Sequence, residues 1–184
     1  MAEERVTYFK ETYYDSPAGK IAIVTMDNNE DYTKPNTFGA GAMESMNGCL
    51  DRIAAVPDVK ALIYTGKVFI FAVGADLNQI PDVPTRDQAR DVGRMGHAAF
   101  KRIMELPYPT VAAVNGACMG GGLEIALMAK YRTFSTGITA LAFPECFIGL
   151  VPGWGGCTLL PRLIGPEKAL QVIITNAMNQ NVML

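Results

Sequence analysis

Gly116-Ala117-Cys118-Met119-Gly120-Gly121-Gly122-Leu123-Glu124 is the stretch on which the reading of this chain turns. It follows Pro109-Thr110-Val111-Ala112-Ala113-Val114-Asn115, a β-branched run that predicts a buried strand. The glycines then open a helical run from Leu123 to Met128. Strand, glycine turn and helix start together set bare backbone N–H groups beside Glu124, an arrangement suited to holding an oxyanion next to an acid or base. Acidic side chains are scarce along the apolar segments, and burying a carboxylate is costly unless it has partners or a task. A second such carboxylate stands 21 residues after Glu124, in Phe143-Pro144-Glu145.

Close helix–strand packing is one reason for a glycine at a helix start. Each of the three costs about 1 kcal/mol of helix stability relative to alanine. Packing accounts for one of them; three together point to a ligand that approaches the backbone. Gly121 and Glu124 are three residues apart and share a helix face, with the Gly121 N–H at the positive end of the helix dipole. Taken singly, Glu145 reads as a turn carboxylate and Asp76, in Val73-Gly74-Ala75-Asp76-Leu77, as a helix N-cap.

The composition narrows the classes further. At 184 residues the chain reads as one domain over 1–184, long enough to bury a full core. Sixteen basic against eighteen acidic residues give a net charge of −2, and no segment concentrates Lys or Arg. A nucleic-acid or anionic-membrane surface has no electrostatic support. The first twenty residues carry Glu3, Glu4, Arg5, Lys10 and Glu11 and do not read as a signal peptide. The most apolar long window, Val111 to Ala129, is interrupted by Asn115, three glycines and Glu124, so no membrane span is expected. Cys49, Cys118, Cys146 and Cys157 show no CxxC spacing and sit in apolar runs, which predicts buried thiols in a reducing cytoplasm. His97 is the only histidine, so no histidine-based metal site is expected.

The chain reads as alternating strands and helices. Strands are expected around Val6–Phe9, Lys20–Met26, Lys60–Thr65, Val68–Phe71, Tyr131–Phe134 and Leu141–Phe143, besides the one at Val111. Met43, Met46, Leu50 and Ile53 recur at helical spacing and predict a helix over Ala42–Ala55. Thr85-Arg86-Asp87-Gln88 matches a capping box ahead of a helix with Val92, Gly96, Ala99, Phe100 and Ile103 on one face. Asp27–Phe38 and Pro81–Pro84 read as loops, Pro152–Gly156 as a turn, and a last helix starts at Pro166-Glu167. Strand–helix–strand occurs at least twice, so the class is α/β.

Rival chemistries lack their motifs. Gly39-Ala40-Gly41 and Gly153-Trp154-Gly155 each begin a GxGxxG pattern, but Glu44 and Thr158 occupy the last glycine position. There is no GxSxG, and no carboxylate near His97 in sequence suggests a relay; His97 reads as a packing or surface residue.

Three segments in order make the difference: Ala61–Gly66 with Phe71–Leu77, Pro109–Ala126, and Phe143–Gly156 continuing into Leu160-Pro161-Arg162-Leu163-Ile164-Gly165. This series resembles the crotonase, or enoyl-CoA hydratase/isomerase, superfamily from about residue 20 onward. Lys34-Pro35-Asn36-Thr37-Phe38 and Asn176–Asn181 are most similar to the hydratase/isomerase part of multifunctional fatty-acid oxidation proteins. The resemblance implies a crotonase-like spiral of ββα units and acyl-CoA thioester substrates, with coenzyme A part of the substrate and no separate cofactor. It implies that the Ala75 and Gly121 N–H groups form an oxyanion hole, that Glu124 activates water, and that Glu145 exchanges the proton at the substrate α-carbon. Val73, Gly74, Asp76, Leu77 and Gly120 are the substrate- and CoA-binding positions it implies, and no residue is assigned to a metal. It further implies a trimer-based homo-oligomer. Asn78 stands where many relatives carry a Lys that helps hold the CoA phosphates. The chain ends at Leu184, so the usual C-terminal helices over the CoA site are expected to be lacking.

Overall fold

The computed structural model describes residues 5–79, 85–138 and 140–178. The loop expected at Pro81–Pro84 and the segment after Met178 lie outside these residues.

The chain opens with an antiparallel hairpin, β1 (Tyr8–Ser16) and β2 (Gly19–Asp27), followed by α1 (Ala40–Ala55). From there a unit of two strands and a helix repeats. The first is β3 (Val59–Gly66), β4 (Ile70–Val73) and α2 (Arg86–Met104). The second is β5 (Thr110–Val114), β6 (Ala117–Met119) and α3 (Gly121–Met128). A third pair, β7 (Tyr131–Phe134) and β8 (Leu141–Ala142), leads to a 3-10 turn at Glu145–Ile148. In each unit the first strand joins a five-stranded sheet of order β1-β2-β3-β5-β7, and the second a three-stranded sheet of order β4-β6-β8. All pairings after the hairpin are parallel, so each unit advances both sheets by one strand. The result is a crotonase-like α/β spiral.

Polar side chains fix the corners of the spiral. Asn115, at the β5–β6 corner, accepts from the Gly66 N–H at 3.1 Å and donates to the Gly66 and Lys67 carbonyls, binding one unit to the previous corner. Tyr64 of β3 donates its hydroxyl to the Ile125 carbonyl of α3 at 2.6 Å and so pins the helix from the sheet side. Helix α1 buries Met43, Met46, Leu50 and Ile53, as its spacing predicts. Helix α2 starts at the Thr85–Gln88 capping box, with both reciprocal hydrogen bonds formed. Helix α3 is buried on every side, the expectation for a helix apolar all round.

Four local expectations change. β1 runs to Ser16, well past the short strand expected near residues 6–9, because β2 supplies a full antiparallel partner. Ala117–Met119 is a strand, not just a glycine turn; three residues are too few for periodicity to reveal. Gly156–Ile164 forms a further helix, α4, before α5 (Pro166–Leu170), although Pro161 lies inside it. Cys157, near the start of α4, is exposed and Cys146 half-buried, unlike the buried Cys49 and Cys118. Among the described residues no helix is long and apolar enough to cross a membrane.

Gly122 carries the packing reason for a glycine: a Cβ there would collide with the Ala72 carbonyl of β4. Gly93, inside α2, has no described residue within 4 Å of where its Cβ would stand. Gly122→Ala should therefore cost about 1–3 kcal/mol by overpacking, whereas Gly93→Ala should add up to about 1 kcal/mol through helix propensity. Chemical denaturation of the two variants checks the pair.

Candidate active site

The three glycines serve three different ends. Gly122 admits β4, as above. Gly120 adopts φ +52°, a left-handed conformation that side chains disfavour, and a Cβ on it would lie 2.9 Å from Glu145 Oε1. Gly121 faces the Cα of Gly74 and the ring of Trp154; an added Cβ would lie 2.8 Å from the indole Cε3 and Cζ3. Only Gly121 lines the neighbouring cavity.

Two backbone donors converge beside it. Phe38 bridges Ala75 in parallel fashion, its N–H donating to the Gly74 carbonyl and its carbonyl accepting from the Asp76 N–H. That pattern uses the groups on either side of Ala75 and turns the Ala75 N–H toward the opposite edge. On that edge β4 pairs with β6, which runs on into Gly120-Gly121. Neither the Ala75 nor the Gly121 N–H has a protein acceptor among the described residues. Both residues line a cavity of about 300 Å³.

The same cavity is lined by both carboxylates. Glu124, in the first turn of α3, is 2% exposed. Its Oε1 accepts from the Trp154 N–H at 2.7 Å and the Gly156 N–H at 2.8 Å, while Oε2 has no protein partner among the described residues. Burial pushes the carboxyl up to about 7, opposed by the N–H groups of Gly156, Trp154 and Gly155. Glu145 opens the 3-10 turn after Pro144. Its Oε2 is buried without a hydrogen-bond partner among the described residues. Burial pushes this carboxyl up to about 7 as well, with the Glu124 charge adding to the rise and the Glu145 N–H opposing it. Two interacting carboxyls near neutrality titrate as a coupled pair.

Of the other expected binding positions, Val73, Gly74 and Leu77 line the cavity. Asp76 does not; its carboxylate accepts from the N–H and side-chain amide of Asn78 and from the Gln79 amide, capping the 3-10 turn Leu77–Gln79. Gly120 also lies off the cavity wall and leaves room for Glu145. Sequence reading did not single out Trp154 and Gly156 as the donors to Glu124, nor the apolar wall of Ala89, Val92, Ile148 and Val151. One signal was available for Trp154: it is the only tryptophan, set among three glycines. Among the described residues no group of three His, Cys, Asp or Glu side chains is placed to hold a metal ion.

A spiral of ββα units with two carboxyls and two free N–H groups at one apolar cavity defines a crotonase-like site. The model of the family described as enoyl-CoA hydratase/isomerase matches residues 17–181, and the chain belongs to that family. It is 40% identical over 157 residues to the fatty acid oxidation complex subunit alpha of Shewanella amazonensis, covering 84% of this chain and 22% of that protein. The subunit of the same name from Aliivibrio fischeri is 41% identical over 159 residues, 85% of this chain and 23% of its own length. The chain thus spans less than a quarter of these relatives. Among solved structures, Pseudomonas aeruginosa DspI matches with a TM-score of 0.80 at 28% identity, over 95% of this chain and 63% of that one. An enoyl-CoA hydratase from Bacillus anthracis matches with a TM-score of 0.76 at 28% identity, over 91% and 62% respectively.

The raised titration of Glu124 has a sign that stability measurements can read. In the unfolded chain the group titrates near 4.5, in the fold near 7, so the protonated form is the one the fold favours. Its contribution is complete below about pH 4.5 and is lost as pH rises through about 7. Glu124→Gln keeps an oxygen for the two N–H donors and removes the charge. Its melting temperature should gain on the parent as pH rises from 5 to 9; a difference independent of pH would contradict the burial argument.

Proposed function

We propose that this chain adds water across the C2=C3 bond of 2-enoyl-CoA thioesters, as a step of fatty-acid β-oxidation. The observation that carries the reading is the placement of Glu124 and Glu145 on one cavity wall with the Ala75 and Gly121 N–H groups. Hydration of an enoyl thioester builds negative charge on the carbonyl oxygen, and two aligned N–H donors stabilise that enolate. Glu124, held by two backbone donors through Oε1, has Oε2 left to take a proton from water at C3. Glu145, whose Oε2 meets no partner among the described residues, is the group to give a proton to C2. A largely apolar wall lowers the local dielectric and strengthens both interactions.

Isomerisation between Δ3- and Δ2-enoyl-CoA is the second reading. It needs one group to move a proton between C2 and C4, which the unpartnered Glu145 supplies by itself. Retention of Glu124 favours hydration. The substrate enters as the thioester, with no separate cofactor. A cytoplasmic setting and a trimer-based homo-oligomer belong to the same proposal. Support for the oligomer comes from Leu163, Leu170, Ile174 and Met178, which are all exposed on the last helical segments.

The test is the loss of the conjugated enoyl absorbance of crotonyl-CoA, run beside an isomerase assay. Glu145→Gln should suppress both activities by about 10²–10³. Glu124→Gln should suppress hydration by a similar factor and spare isomerisation. Equal loss of both activities in Glu124→Gln would contradict the division of roles, and a parent protein that consumes no enoyl-CoA would contradict the function.

A further inference from the structure

The Glu124 carboxylate is held by a turn, and the turn is held by an indole. Trp154 donates its backbone N–H to Glu124 Oε1, and its side chain is 6% exposed. The indole Nε1 donates to the Val92 carbonyl of α2 at 3.2 Å. One helical turn beyond Val92, Gly96 lies against the indole so closely that a Cβ there would collide with it. The benzo edge of the same ring covers Gly121 of α3. Phe100 of α2 meets it edge to face, with centroids 5.4 Å apart and planes at 84°. The indole is thus a key lodged between α2 and α3, and the main chain that carries it is the main chain that grips Glu124. Ala89, Val92 and Gly93 of α2 line the cavity beside it.

We propose that Trp154 is a positioning residue for Glu124: its ring, keyed into α2 at Val92 and Gly96, sets the 152–156 turn whose N–H groups aim the carboxylate. This rests on the reading above, in which Glu124 handles the water. The consequence is specific. A disturbed indole moves Glu124 and leaves Glu145, which sits on a different turn, in place. Misplacing a catalytic group by about 1 Å can cost as much as 10² in rate. Loss of the indole contact should therefore fall far more on hydration, which needs Glu124, than on isomerisation, which feels only the ring's contact with Gly121, and on kcat more than on KM.

Trp154→Phe keeps the backbone N–H and deletes the bond to Val92. Gly96→Ala keeps the indole and pushes it from the α2 side. Both variants should lower hydration kcat by about tenfold or more, with KM within about twofold and isomerisation within about threefold. A Trp154→Phe protein that folds and keeps the parent ratio of hydration to isomerisation overturns the proposal.

A second readout does not depend on turnover, and decides the matter if the parent shows none. Trp154 is the only tryptophan, so its emission reports on this one site. The titratable groups around the turn are Glu124 from α3, Glu145 from the 3-10 turn, Cys157 from α4 and His97 from α2, whose Cδ2 approaches Gly155. Cys157 titrates above the ordinary thiol range. If the turn and the carboxylate move together, the emission should show a transition near pH 7 that survives His97→Gln and vanishes in Glu124→Gln. Emission with no transition that depends on Glu124 would overturn the coupling, and would do so independently of what the protein catalyses.

Discussion

A carboxylate in the first turn of a wholly buried helix is the constraint from which the rest of this site follows. Helix α3 carries no other charge, and Glu124 is buried with it. Such a group is tolerated only if hydrogen bonds replace lost water, and here two backbone N–H groups do so through one oxygen. Those donors belong to the Pro152–Gly156 turn, so the turn must close over the start of α3. Closing it places Trp154 against α2, and the absence of side chains at Gly96 and Gly121 makes room for the ring. The demand of one carboxylate for two donors thus fixes the relation of α2, α3 and α4.

The two carboxyls are held in unlike ways, and the difference has chemical meaning. Glu124 accepts two N–H donors, which favour its ionised form; Glu145 has a buried oxygen with none. Both titrate near 7, and the charge of one raises the other. The two therefore titrate as a coupled pair near neutrality, with the N–H donors favouring the ionised form at Glu124 more than at Glu145. The Ala75 and Gly121 N–H groups complete the site with two donors that have no acceptor among the described residues.

Much of this was legible in the residues because the elements concerned are long or chemically unusual. Apolar spacing marked α1, and the Thr85–Gln88 box marked the start of α2. The glycine triplet beside Glu124 marked the site, although its three glycines turned out to have separate reasons: a left-handed backbone, an open cavity wall and a close strand. The short elements left no trace. β6 has three residues, and α4 begins at a glycine pair and contains Pro161. Pairings between distant segments were equally hidden, because nothing in Pro152–Gly156 shows that its N–H groups serve a residue thirty positions earlier. Asp76 shows the converse. Its place in the Val73–Leu77 segment marked it for binding, whereas its own neighbours, Asn78 and Gln79, occupy its carboxylate.

The central claim is that Glu124 and Glu145 share one cavity and titrate as a coupled pair near neutral pH. It is tested most directly by following the side-chain carboxyl ¹³C resonances of a labelled protein from about pH 4 to about pH 9, with each signal assigned by its Gln substitution. Two signals should titrate near pH 7, and the Glu145 midpoint should fall when Glu124 is replaced by Gln. Two independent titrations near the ordinary carboxylate value of 4.5, each indifferent to the other's replacement, would contradict the account.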